Sequence, residues 1–162
     1  MSKTLTLIRH GKSSWEYKVD DHDRPLKKRA YNDIKCIADE VKTKISENTF
    51  FFSSSANRAQ TTARLFLKHL DFSPYRLKVL PELYTFDHKV LRDIIHKMDD
   101  DFEDVVIFGH NPAFTQLANA FGDEQFFNIP TSGLVRLSFE NTQWKDCRKA
   151  RTVLHLFPKN LR

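Results

Sequence analysis

Four positions carry side chains suited to handling a phosphoryl group: Arg9 and His10 in Arg9-His10-Gly11, Arg58 in the run 53–63, and His110 in Gly109-His110-Asn111-Pro112. Transfer of such a group needs a nucleophile in line with the leaving atom and positive groups around the three equatorial oxygens, where transition-state charge is spread. His10 supplies the nucleophile, because a neutral imidazole attacks phosphorus and forms a phosphohistidine intermediate. Nearby arginines disfavour its protonated form and keep the attacking nitrogen free near neutral pH. Arg9, Arg58 and His110 supply the positive groups, the arginines through a planar fork that donates paired hydrogen bonds to phosphate. Taken alone, a histidine at a strand end or an exposed arginine would be ordinary. Arg58, however, falls in the first turn of a helix, where a cation opposes the macrodipole, so something other than local stability selects it.

A fifth candidate is Glu82, a general acid able to protonate an ester leaving oxygen and then activate water against the phosphohistidine. It also fits as a turn residue in Pro81-Glu82-Leu83, and Asp21 or Asp23 could reach the site from the first loop instead.

The elements that must position these residues follow from hydrophobic periodicity. Residues 4–8 read as a short buried strand ending at the turn of Gly11, which gives the chain room to turn and lets phosphate approach the backbone. From Leu26, the residues Ala30, Ile34, Ile37, Val41 and Ile45 recur with helical spacing, with Asp23 and Pro25 as capping and first-turn residues. Phe50, Phe51 and Phe52 form a second strand, ended by three serines at the start of a helix through Leu70. A third strand is expected at 77–80, a helix at 87–98 and a fourth strand at 105–108. A helix from Asn111-Pro112 and strands at 134–139 and 152–157 complete the pattern. The acidic run 99–101 reads as a solvated exit with no function.

This alternation predicts a three-layer α/β/α sandwich with a mostly parallel central sheet of about six strands. In such sheets ligands bind beyond the carboxyl ends of the strands, which is where His10, Arg58, Glu82 and His110 all fall. The helix starts at Asn57 and Asn111 would aim free N–H groups at the same crevice.

Composition bounds the alternatives. With 162 residues, 40% of them hydrophobic and fourteen of them phenylalanine, the chain suits one domain over 1–162. The net charge of +5 is spread along the chain without a basic stripe or motif, so a nucleic-acid partner is not expected. Cys36 and Cys147 show no metal-type pairing, and no metal or other cofactor is expected. The start of the chain is unlike a signal peptide and no long apolar run follows, so neither a membrane nor a secreted location is expected, and the cytoplasm is.

In their order and on their elements, Arg9-His10-Gly11, Ser54-Ser55-Ala56-Asn57-Arg58-Ala59 and Gly109-His110-Asn111-Pro112 resemble the histidine phosphatase (phosphoglycerate mutase-like) superfamily. The short chain, the run Asp21-His22-Asp23-Arg24-Pro25-Leu26 and the run 129–133 resemble its SixA-like phosphohistidine phosphatase branch. The resemblance implies that His10 is the nucleophile, Arg9 and Arg58 bind phosphate, His110 completes the pocket and Ser13 adds a contact. It implies hydrolysis of phosphohistidine in proteins or of small phosphoesters. A phosphomutase of the same superfamily and a non-catalytic phosphate-binding module are the alternatives.

Two departures bear on this. Phosphoglycerate mutases often read Trp-Asn where this chain has Trp15-Glu16, a carboxylate that would repel phosphate. The long insertion that encloses their substrates, between the second and fourth strands, is also absent, which implies an open, shallow site.

Overall fold

The computed structural model describes residues 2–162. Among them, six strands alternate with four helices: β1 (Lys3–Arg9), α1 (Lys28–Val41), β2 (Thr49–Ser53), α2 (Asn57–His69), β3 (Leu77–Val79), α3 (His88–His96), β4 (Asp104–Gly109), α4 (Ala113–Phe121), β5 (Leu134–Phe139) and β6 (Arg151–Leu156). They build a single six-stranded sheet in the order β3-β2-β4-β1-β5-β6. The pairs β3–β2, β2–β4 and β4–β1 are parallel, whereas β5 runs antiparallel to both β1 and β6. Five strands therefore share one direction and β5 alone is reversed, so the sheet is mixed although mostly parallel.

The side-chain alternation of a strand sorts the interior into two layers. Leu5, Leu7, Val105 and Ile107 face α3 and α4, packing with Leu91, Ile95, Phe114 and Leu117. Ile8, Val106 and Phe108 face α1 and α2, packing with Ile34, Ile37, Ala63 and Phe66. The central strands are buried on both sides, which is why they read as continuous apolar runs and not as alternating ones.

The first helix departs from its expected start. α1 begins at Lys28, its N-cap is Lys27, and neither Asp23 nor Pro25 caps it. The reason is a competing pairing of the segments on either side of the loop. Ser14 N–H donates to Pro25 O at 2.8 Å, Lys27 N–H donates to Lys12 O, and Ser13 and Leu26 form an isolated antiparallel bridge. Pro25 is thus held in an extended clasp that closes the loop after β1. At α4 the helix starts at Ala113, and the Asn111 side chain accepts from Thr115 N–H at 3.0 Å, so Asn111 serves the helix start from just outside it. No helix among the described residues is long and apolar enough to cross a membrane.

Candidate active site

The carboxyl ends of β1, β2 and β4 bring His10, Arg58 and His110 together. β1 and β4 are in register with Arg9 opposite Gly109, so the histidine that follows each strand emerges side by side with the other. Their ring centroids are 5.3 Å apart. Arg58, in the first turn of α2 after β2, points its Nε at His10 Nε2 from 3.4 Å. These three residues are 7%, 3% and 1% exposed, so the side chains are largely withdrawn from solvent. The turn Asp21–Asp23 packs on α2 and bonds Arg58, while Tyr84 and Phe86 lie with ring centroids 5.4 Å from His110.

His10 is oriented by its backbone. Its Nδ1 lies 2.8 Å from Gly11 O, which only accepts, so the proton sits on Nδ1 and Nε2 carries the lone pair that faces Arg58 Nε–H. Burial pushes the pKa down to about 3; the Gly11 bond opposes that shift, and the charges of Arg58, Arg9 and Arg24 add to it. The arginines thus act as expected, but desolvation is the larger cause. Gly11 is needed for a reason the sequence did not reveal: a Cβ there would lie 2.8 Å from Ala30 Cβ, so the turn is pressed against α1. Thr62 fixes the same turn from α2, accepting from Gly11 N–H at 2.9 Å while donating to Arg58 O at 2.7 Å.

His110 is pushed down to about 3 by burial, then by His10 and Arg58. Its Nε2 is 2.8 Å from Ser54 Oγ, which already accepts from Ala56 N–H. The other ring nitrogen, Nδ1, is buried and has no partner. Arg9 NH1 donates to Ile129 O at 2.9 Å, while its buried Nε is likewise unpaired. Ser132 Oγ, 1% exposed and beside the Gly11 turn, is a third such atom. The Ser132 backbone N–H donates to Arg9 O and His10 O, placing this loop against the histidine. Buried polar atoms without partners are rare in folded proteins, and His110 Nδ1, Arg9 Nε and Ser132 Oγ are three of them.

Two expected residues do not join this group. Glu82 is exposed in the turn Pro81–Leu83, borders a cleft formed by Phe52, Leu80, Val90 and Ile94, and is hydrogen bonded to none of the four. Ser13 is buried, but its hydroxyl accepts from Arg24 NH2. Glu16 is exposed and lines a surface cavity with Tyr17, Leu26 and Lys28. Asp21 does reach the site: Oδ1 accepts from Arg24 NH1 at 3.0 Å, and Oδ2 accepts from Arg58 NH2 at 3.0 Å and from the Tyr84 hydroxyl. Burial would raise its pKa, but the bonds from Tyr84, Arg24 and Arg58 outweigh that and hold the carboxyl well below the usual range. Its ionised form is the one these three donors favour. Asp23 stays at the surface beside His22.

The model of the histidine phosphatase superfamily (branch 1) matches residues 5–116, which contain His10, Arg58 and His110. The chain belongs to that superfamily. As a histidine phosphatase superfamily member it is an enzyme of the phosphatase or phosphotransferase kind. An uncharacterized chloroplastic protein of Arabidopsis thaliana is 28% identical over 157 residues, covering 90% of this chain and 71% of that one. Among solved structures, the protein histidine phosphatase SixA in complex with tungstate superposes with a TM-score of 0.82 at 19% identity, covering 98% and 99% of the two chains. A chain provisionally assigned as SixA from Agrobacterium tumefaciens gives 0.76 at 22%, covering 95% and 97%. A mycobacterial glucosyl-3-phosphoglycerate phosphatase gives 0.69 at 13%, covering 95% and 98%. These structures share the fold of this superfamily member.

Proposed function

We propose that this protein is a metal-independent phosphatase of the SixA-like branch that passes the phosphoryl group through His10, with phosphohistidine in a protein as the preferred substrate class and small phosphoesters as the second. The carrying observation is His10 Nε2, left as the lone-pair nitrogen by the Gly11 contact on Nδ1 and faced by Arg58 Nε–H at 3.4 Å, in a site where the buried Arg9 Nε, His110 Nδ1 and Ser132 Oγ have no partner. The fold shared with SixA supports the same reading.

In the first step the His10 Nε2 lone pair attacks phosphorus, and the bond to the leaving atom breaks. Arg58, Arg9 and His110 hold the equatorial oxygens as charge redistributes. A phosphohistidine substrate whose second ring nitrogen carries a proton leaves as neutral imidazole, so its departing nitrogen needs no acid. An alkoxide needs one. Asp21, the carboxyl group bonded into the cluster, is held ionised, and Glu82 is not bonded to it, which favours the phosphohistidine substrate. In the second step water attacks the phosphorylated His10, the new N–P bond breaks, and neutral His10 and dihydrogen phosphate result.

The test is turnover of an aryl phosphate and of a phosphohistidine protein in excess chelator, with wild type and His10→Ala. Wild-type turnover should survive the chelator, and His10→Ala should abolish it. Rapid quenching should trap acid-labile phosphate on the wild-type protein. Chelator-sensitive turnover, or an active His10→Ala, would overturn the proposal.

A further inference from the structure

We infer that Asp21 is a positioning residue that aims the Arg58 guanidinium at the phosphoryl group, an inference that rests on the reading of His10 as nucleophile. Arg58 is 3% exposed in the first turn of α2, where both burial and the helix dipole disfavour a cation, so its orientation must be held by a partner. Asp21 is that partner, and it grips one edge only. Arg58 NH1 donates to Asp21 O at 2.6 Å and NH2 donates to Asp21 Oδ2 at 3.0 Å, which occupies the end of the guanidinium. The perpendicular edge, bearing Nε–H, is left facing His10 Nε2 at 3.4 Å. A phosphoryl group bound to His10 would meet that edge.

Asp21 is itself immobilised from two sides. The Tyr84 hydroxyl donates to Oδ2 and Arg24 NH1 donates to Oδ1 at 3.0 Å. Arg24 is pinned by bonds to Ser13 Oγ and Ser14 O and by the Trp15 ring, 3.2 Å from its guanidinium carbon. A chain of contacts thus runs from an exposed tryptophan to the nucleophile.

The experiment is a double-mutant cycle of Asp21→Ala and Arg58→Ala. It reads binding of inorganic phosphate by calorimetry and kcat and KM on an aryl phosphate, with Asp21→Asn as the conservative variant. Asp21→Ala should weaken phosphate binding and lower kcat/KM by up to about 10²-fold, the scale of a misplaced catalytic group. Asp21→Asn should recover part of the loss. In the Arg58→Ala background Asp21→Ala should cost within about 2-fold, because its effect passes through the missing arginine. Equal losses in both backgrounds, or tighter phosphate binding by Asp21→Ala, would overturn the inference; the latter would make Asp21 an occluding anion. Should Asp21→Ala unfold, Tyr84→Phe removes only the hydroxyl that holds the carboxylate, and its smaller loss should vanish in the same background. If the wild type turns over no phosphorylated substrate the reading of function fails, whereas the phosphate-binding cycle still decides the role of Asp21.

Discussion

Arg58 shows how much of the site depends on shape as well as charge. A lysine at 58 would keep the positive charge in the pocket but would present one rotating ammonium in place of a fork held at one edge and aimed from the other. Arg58→Lys should therefore lower kcat/KM on an aryl phosphate by about 10²-fold, the effect of losing one donor to developing charge. Retention of most activity would mean that net charge alone matters there. The arginine was legible in the sequence because a cation in a helix's first turn is locally unfavourable and asks for a reason. Its partner was not: Asp21 was read as one of several acids that could donate a proton, and only the folded loop shows it gripped by three donors. Tyr84 left no signal at all, since an aromatic in an otherwise unremarkable turn reads as packing until its hydroxyl is found on Asp21.

At the scale of elements, α2 and the turn after β1 are joined through one hydroxyl. Thr62 Oγ1 bonds both Gly11 N–H and Arg58 O, so the nucleophile's turn and the arginine's helix share a fixed point. Thr62→Val keeps the volume and leaves a buried N–H without a partner, which should cost about 1–3 kcal/mol of stability in urea unfolding. It should also lower kcat, and Thr62→Ser should restore both; unchanged stability would show that the Gly11 amide finds another acceptor. The strands and helices themselves were readable from period and punctuation, to within a few residues at their ends. The clasp of residues 12–14 with 25–27 was not, because Leu26 fits the helical spacing of α1 and gives no sign of its bridge to Ser13. The loop at 129–133 was noticed only as a resemblance, since its bonds to Arg9 and His10 arise from a strand that pairs antiparallel with β1.

For the molecule as a whole, the two buried imidazoles couple folding to acidity. Each is neutral in the fold with a pKa near 3, against 6.5 when exposed, so between those values the unfolded chain binds more protons. Their contribution to stability is complete above pH 6.5 and is lost as pH falls. Asp21, whose pKa is depressed from 3.8, contributes in the same direction only as pH falls through that value, where the unfolded chain takes up a proton that the fold does not. The melting temperature of the unliganded protein should therefore fall steadily from pH 6.5 to about 4, and His10→Gln with His110→Gln should flatten that slope. An unchanged slope in the double variant would place the protonation elsewhere. The one reversed strand has a different consequence. Because β5 enters the sheet at the end where the parallel strands leave it, the connection from Gly122 to Gly133 forms one rim of the pocket without carrying a crossover helix. That connection climbs back along α4, with Phe126 N–H donating to Asn119 Oδ1 at 2.8 Å and Ile129 N–H to Thr115 Oγ1 at 3.0 Å, so its length is matched to the helix it retraces and a residue deleted between 126 and 129 should draw Ser132 away from His10.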